Sequence, residues 1–508
     1  MSIANEINRI AGAKADIKRA INAKGGTLVN EKLTAYADAI DNLLPEEFGN
    51  RVRFIDYDGT VLKTMYVADG ESATPPENPA HPGMIFQGWN TSLTDILSHR
   101  DIGAVYTTAS GGCEFDVRMV VRTGYTVTFC PYIESGILTI DWGDGGTGTV
   151  AGTGKQSVSY TYADYGEYTI KFTISADGSW YIPDYFCGGS EGNSCLVNMR
   201  LTGIRQISGY AFHRCRCLRG FTMSRDIATI GEYAFCEDYA LLTAVFPDSV
   251  TGMGRNTLHY CYGMRRCVFP DTLTSIPEWI CHCCHALDGI TVPDGVTDIG
   301  SGAFYNCYGL QQASLPSSMK ILYSEVFREC WSLEKINFPD GMTDIRDSCF
   351  YNCHGLKKAH LPDTVTLLGS YVFAYCHALR EINVPAGIIA VPNGMCYRCY
   401  SLESILIPEN ITVIGDEAFC ECYSLRNVRL HGGITNIRYG AFNYCRAMQN
   451  YYLYPAAVPT LNSTSAFYDI PGSCVIWVPA SPDREILTAY KTATNWSNYA
   501  DSMREMEE

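Results

Sequence analysis

The chain has 508 residues, enough for several domains, and carries 38 Lys and Arg against 54 Asp and Glu for a net charge of −16. That sign argues against a generic binder of nucleic acid or of an anionic membrane surface, and no run of apolar residues approaches the length of a membrane span. The opening MSIANEINRIAGAKADIKRAI lacks an unbroken apolar core, so it does not read as a secretory signal.

Residues 1–46 predict a helical hairpin. Ile3, Ile7, Ile10, Ile17 and Ile21 follow heptad spacing, Gly25 and Gly26 make a turn, and Leu33, Ala37, Ile40 and Leu44 resume the stripe until Pro45. Such a hairpin either packs on itself or serves as a docking or oligomerisation element. The stretches EINRIAGAKADIKRAINAKG and YADAIDNL resemble the N-terminal regions of tail-associated proteins in bacteriophages of gut bacteria.

Residues 51–108 alternate as strands around a Pro-rich stretch. Here DYDGTVL followed by GMIFQGW resembles the Listeria–Bacteroides repeat, which implies a β-grasp-like module. Residues 112–177 alternate more strongly, and LTIDWGDG with YTYADYGEYTIKF resembles a β-sandwich of the polycystic-kidney-disease (PKD) type. Both resemblances imply pieces of a stalk.

From residue 195 to 455 the sequence repeats. Cys215, Cys261, Cys284, Cys307, Cys330, Cys353, Cys376, Cys399, Cys422 and Cys445 lie on a period of 23 residues, with Asp238 in the one empty slot. Leu or Met follows at +3, Pro at +9 in eight units, and Phe usually precedes at −3, giving AF-x-x-C-x-x-L-x-x-I-x-L-P-x-x-V-x-x-I-G. Apolar residues at +3, +6 and +8 share one face of a short strand that Pro ends; a pair such as Val296 and Ile299 at +12 and +15 carries the chain back. One unit cannot bury its apolar side chains alone, so about eleven of them must stack as a solenoid of short strands and turns. The units resemble BspA-like leucine-rich repeats, found in surface adhesins of bacteria and protists and in some phage proteins. Residues 456–508 resemble the terminal cap of that family, which an open solenoid end needs. The expected fold is therefore multidomain: hairpin, β-grasp-like module, PKD-like sandwich, leucine-rich-repeat solenoid and cap.

Of 23 cysteines, ten occupy one inward slot, and free cysteine behaves as a small core residue. Buried free thiols are expected, hence folding in a reducing cytoplasm. No catalytic constellation emerges, so the chain reads as a non-enzyme without cofactor or metal. Asp141 and Asp144 in DWGDG read as turn caps rather than calcium ligands. The pairs Cys281/Cys284 and Cys396/Cys399 arise because cysteine replaces the repeat Phe, and no second half-site lies at zinc spacing.

Two surface rows remain. At +4, +5 and +7 stand Arg219, Arg265, Arg266, Lys335, Lys357, Lys358, Arg380, Arg426 and Arg429 against Asp288, Glu334, Glu381 and Glu403. This ribbon is net positive on an acidic chain, as an anionic surface polymer would require; ordinary solubility charge is the alternative. At +1 stand Tyr239, Tyr262, His285, Tyr308, Trp331, His354, His377, Tyr400 and Tyr423, and at −2 His259, His282, Tyr305, Tyr351 and Tyr397. Such rings either meet a sugar or protein partner or stack on each other and brace the turns. The combined expectation is a receptor-binding protein of a phage tail or baseplate, folded in the host cytoplasm. It docks through residues 1–46, is homo-oligomeric, and recognises a host-surface glycan or protein without nucleic acid or membrane insertion. A bacterial surface adhesin or secreted effector is the alternative.

Overall fold

The computed structural model describes residues 50–507 apart from 57–59, 69–70, 82–83, 90–92, 95, 97–99, 109–113 and 188–194. The hairpin expected at 1–46 lies outside the described residues.

Each coil contributes two short strands, and neighbouring coils pair them in parallel. In one sheet row Gly289–Thr291 pairs with Gln312–Ser314, which pairs with Lys335–Ile336. In the other, Asp298–Ile299 pairs with Ile321–Leu322 and then with Asp344–Ile345. The expected inward residues are buried: Leu287, Ile290, Val292, Val296 and Ile299 are each at most 3 % exposed. Between the rows the chain turns through a segment that the repeat pattern does not announce. Two residues per coil there, such as Glu325 and Glu329, take left-handed φ of 63° and 61°. In this segment amides are directed to the next coil: Phe327 N–H donates to the Cys349 carbonyl at 2.9 Å and Glu329 N–H to that of Tyr351 at 2.8 Å. The strain of left-handed non-Gly residues, roughly 1–2 kcal/mol each, is offset by this third ladder of hydrogen bonds.

The cysteine slot has its own chemistry. From Cys261 to Cys445 nine thiols each donate to the carbonyl of the −3 residue on the preceding coil, at 3.1–3.3 Å. Most −3 carbonyls also accept a backbone N–H of their own coil, as Phe327 does from Cys330 at 3.2 Å, and the thiol takes the second lone pair on the core side. A thiol is small enough to fit and polar enough to pair. Among the described residues every cysteine is a free thiol, and Cys217 is the exposed one. Above the thiols the −3 rings stack, as in Phe304, Phe327, Phe350 and Phe373 with centroids 5.1–5.5 Å apart.

The N-terminal modules do not form a stalk. The sandwich strand β5 (Glu114–Val121) pairs with Leu196–Thr202, which pairs in parallel with the first coil strand Gly220–Met223. One sheet therefore runs from sandwich into solenoid, and one core is continuous from Phe115 to Met503. The sandwich is the solenoid's N-terminal cap. At the other end Val475–Val478 and Met503–Glu505 extend the strand row, while the helix Glu485–Thr492 brings Tyr490 against Trp496, both fully buried.

The first module is a mixed sheet of β1 (Asn50–Ile55), β2 (Val61–Val67), β3 (Met84–Trp89) and β4 (Arg100–Thr108) in the order β2-β1-β4-β3, with β1 and β4 parallel. It lies on the strand row of the first coils. Ile55 packs with Val245 and Val268, and Arg225 donates to the Trp89 carbonyl at 2.6 Å. A Cβ on Gly103 would stand 2.2 Å from Val245 Cγ1, so this approach needs glycine.

Candidate functional site: ring and charge rows on the solenoid

The +1 rings form a single stack. From Tyr239 to Tyr423 nine rings follow one another, with centroids 4.3–5.0 Å apart at every step except Trp331 to His354, which is 6.1 Å. The spacing is set by the coils, which place one ring each. Both ends carry a cation: the Arg216 guanidinium lies 5.4 Å from the Tyr239 ring and that of Arg446 lies 5.5 Å from Tyr423. Both arginines occupy the same repeat slot as the rings. The signal for them in the sequence is the +1 slot itself, where arginine replaces the ring in the coils of Cys215 and Cys445.

The faces of these rings are covered by one another, which is the bracing arrangement. A sugar cannot stack on them face to face within the row. What they offer outward is edges, with Tyr262 at 37 % and Trp331 at 45 % exposed and His285, Tyr308, His354, His377, Tyr400 and Tyr423 half-buried. Several tips are fixed from the coil itself: Trp331 Nε1–H donates to Glu329 at 2.8 Å, and the Tyr423 hydroxyl to Glu421 at 2.7 Å.

The −2 row is less regular. His259, His282 and Tyr305 stack at 4.4 and 4.9 Å, then the Arg328 guanidinium sits between Tyr305 and Tyr351, 5.7 and 4.3 Å from their centroids. Burial holds His259 and His282 down at about 4, so both rings are neutral at ordinary pH.

The charged ribbon is not a uniform positive field. Lys357 pairs with Glu334 at 3.3 Å and Lys358 with Glu381 at 2.8 Å, each across one coil. Arg266 is half-buried under the first module, beside Asp101, whose carboxyl is held below the usual range chiefly by Arg53 against the opposing effect of burial. Arg265, Arg380, Arg426 and Arg429 are exposed, and Arg429 lies over the Tyr452 ring at 5.1 Å. Glu334 and Glu381, two of the four acidic residues of the ribbon, therefore neutralise two of its lysines from one coil away. The turn Asp141–Gly146 caps itself, with Gly143 N–H donating to Asp141 and Gly146 N–H to Asp144, both at 2.9 Å.

Residues 205–334 and 320–449 match the family model described as BspA type leucine rich repeat region, in six copies. Over residues 205–449 the stacked coils match BspA-type leucine-rich repeats. Residues 114–181 match the PKD domain model, so the sandwich that caps the BspA-type array is a PKD domain. Similar solved structures include a leucine-rich repeat protein from Bacteroides ovatus, 26% identical, covering 60% of this chain and 88% of that one with a TM-score of 0.41. A leucine rich cell surface protein from Faecalibacterium prausnitzii is 23% identical over 56% of this chain and 92% of its own, TM-score 0.35. A leucine-rich repeat protein from Eubacterium ventriosum is 22% identical over 55% and 84%, TM-score 0.39. No curated protein matches the chain. Neither matched family is an enzyme family; BspA-type repeats are surface and adhesion-type modules.

Proposed function

We propose that this chain is a recognition protein of a phage tail or baseplate. It binds a host-surface glycan or protein along the outward ring edges of the BspA-type array and the arginines beside them. The observation that carries the reading is the row from Arg216 to Arg446, which presents one ring edge per coil on a rigid core. Tyr262, Tyr308 and Tyr400 offer hydroxyls on rings with little rotamer entropy left to lose, while the Trp331 N–H and the Tyr423 hydroxyl are held by Glu329 and Glu421 and those rings offer apolar edge. Arg380 and Arg426, exposed at +4, add charge next to that row. Residues 1–46 are assigned to docking and self-association on the strength of their resemblance to phage tail proteins.

Glycan-array and host-cell binding by the full chain tests the reading. Alanine at both Tyr308 and Trp331 is expected to lower binding at least about tenfold, the scale of one hot spot. Unchanged binding with an unchanged melting temperature would reduce the ring row to bracing. Electron microscopy of labelled particles tests the location, and a sortase or secretion locus beside the gene would instead favour a bacterial surface adhesin.

A further inference from the structure

Four consecutive coils carry His213, Cys236, His259 and His282 at one slot, two residues before the cysteine position. All are side chains that bind transition metals, and the run stops there.

His213, Cys236 and Glu237 converge: one ligand atom from each lies within 4.8 Å of the others. His213 Nε2 stands 3.5 Å from Glu237 Oε1. That is long for an N–H···O bond. It is close to the edge of a zinc tetrahedron, where nitrogen and oxygen ligands on bonds of about 2.0–2.1 Å stand roughly 3.4 Å apart. The other ring nitrogen, His213 Nδ1, has no hydrogen-bond partner, so no neighbouring group fixes the tautomer against Nε2 presenting its lone pair.

Glu237 is held from behind. Arg214 donates to it at 3.0 and 3.2 Å, the Tyr239 hydroxyl at 3.0 Å, and Arg216 approaches to 3.9 Å. Such outer partners orient a ligating carboxylate. They also compete for its charge, so the cation must bring two positive charges and a soft ligand must help hold it.

We propose that His213, Cys236 and Glu237 form a site for a zinc-class divalent cation that ties the first regular coil to the second. On binding, Cys236 loses its S–H proton to solvent and the thiolate sulfur bonds the metal. Thiolate and carboxylate together then match the charge of the ion, with neutral His213 as the third ligand. The mixed nitrogen, sulfur and oxygen set selects zinc over calcium or magnesium, which take oxygen alone.

The test titrates ZnCl2, and separately CoCl2, into the full chain after chelator treatment. One Zn2+ per chain is expected, with a sulfur-to-cobalt charge-transfer band in the near ultraviolet. Cys236→Ser should abolish that band, and both Cys236→Ser and His213→Gln should weaken zinc binding more than about tenfold. Cys420→Ser removes a buried cysteine from the same slot beside Arg398 and should change neither. His213→Gln carries the test should Cys236→Ser fail to fold, as judged by melting in chelator. No zinc uptake by the native sequence, or uptake undiminished in folded Cys236→Ser and His213→Gln, would overturn the site.

Discussion

The Cys353 thiol donates to the Phe327 carbonyl at 3.1 Å, one coil back, and the same bond recurs at every repeat cysteine from Cys261 to Cys445. The slot therefore answers a backbone demand as well as filling space. The Phe327 carbonyl also accepts the Cys330 N–H at 3.2 Å, so Cys353→Ala removes its second bond and leaves a small void, at an expected cost of about 1–2 kcal/mol. Chemical denaturation of the variant checks this; a cost below about 0.5 kcal/mol would reduce the thiol to filler.

Asp238 is the exception in that slot. It is fully buried, and burial above all, then the neighbouring Cys215, pushes its carboxyl well above the usual range. A carboxyl raised in the folded state adds most stability below its unfolded value of about 3.9 and loses that contribution as pH climbs through the folded value. Asp238→Cys should therefore raise the melting temperature, by more at pH 8 than at pH 4. A gain that is the same at both would contradict a neutral carboxyl.

Gly302 sits at a left-handed position, φ +60°, where the Trp279 ring of the preceding coil comes within 2.3 Å of a would-be Cβ. Gly302→Ala meets both the backbone penalty and the ring. A loss of about 2–4 kcal/mol is expected, partly restored when Trp279→Ala is added. Additive effects in that double-mutant cycle would remove the contact from the account.

Gly103 faces Val245 in the same way across the seam between the first module and the solenoid. Gly103→Val should lift the module from the strand row and speed amide exchange in 243–245 and 266–268. Exchange that does not change would return the module to the role of a free stalk piece.

The core was legible in the sequence because its signal is local and repeated: a 23-residue period puts Cys307, Leu310 and Phe304 in the same environment in every coil. The seams were not. The pairing of β5 with Leu196–Thr202 and the bond from Arg225 to Trp89, 136 residues apart, depend on shape at one place and leave no period. The ring row was visible as a pattern at +1, but its stacking was open, because sequence fixes which slot a ring occupies and not where its face points. The ion pairs from Lys357 to Glu334 and Lys358 to Glu381 depend in the same way on which coils set opposite signs side by side, which a count of charges along the ribbon does not give. His213 and Cys236 stand in the −2 column with Glu237 beside them at −1, so the group shows when the columns are followed from coil to coil and not in spaced motifs along the chain.

Thiol labelling of the native chain with a maleimide, mapped by mass spectrometry, tests the shared interior most directly. Cys217, exposed, should label quickly, while the nine thiols that donate to −3 carbonyls should stay protected until denaturant is added. Labelling of Cys307, Cys330 and Cys353 at the rate of Cys217 would contradict an inward cysteine ladder and the solenoid built on it.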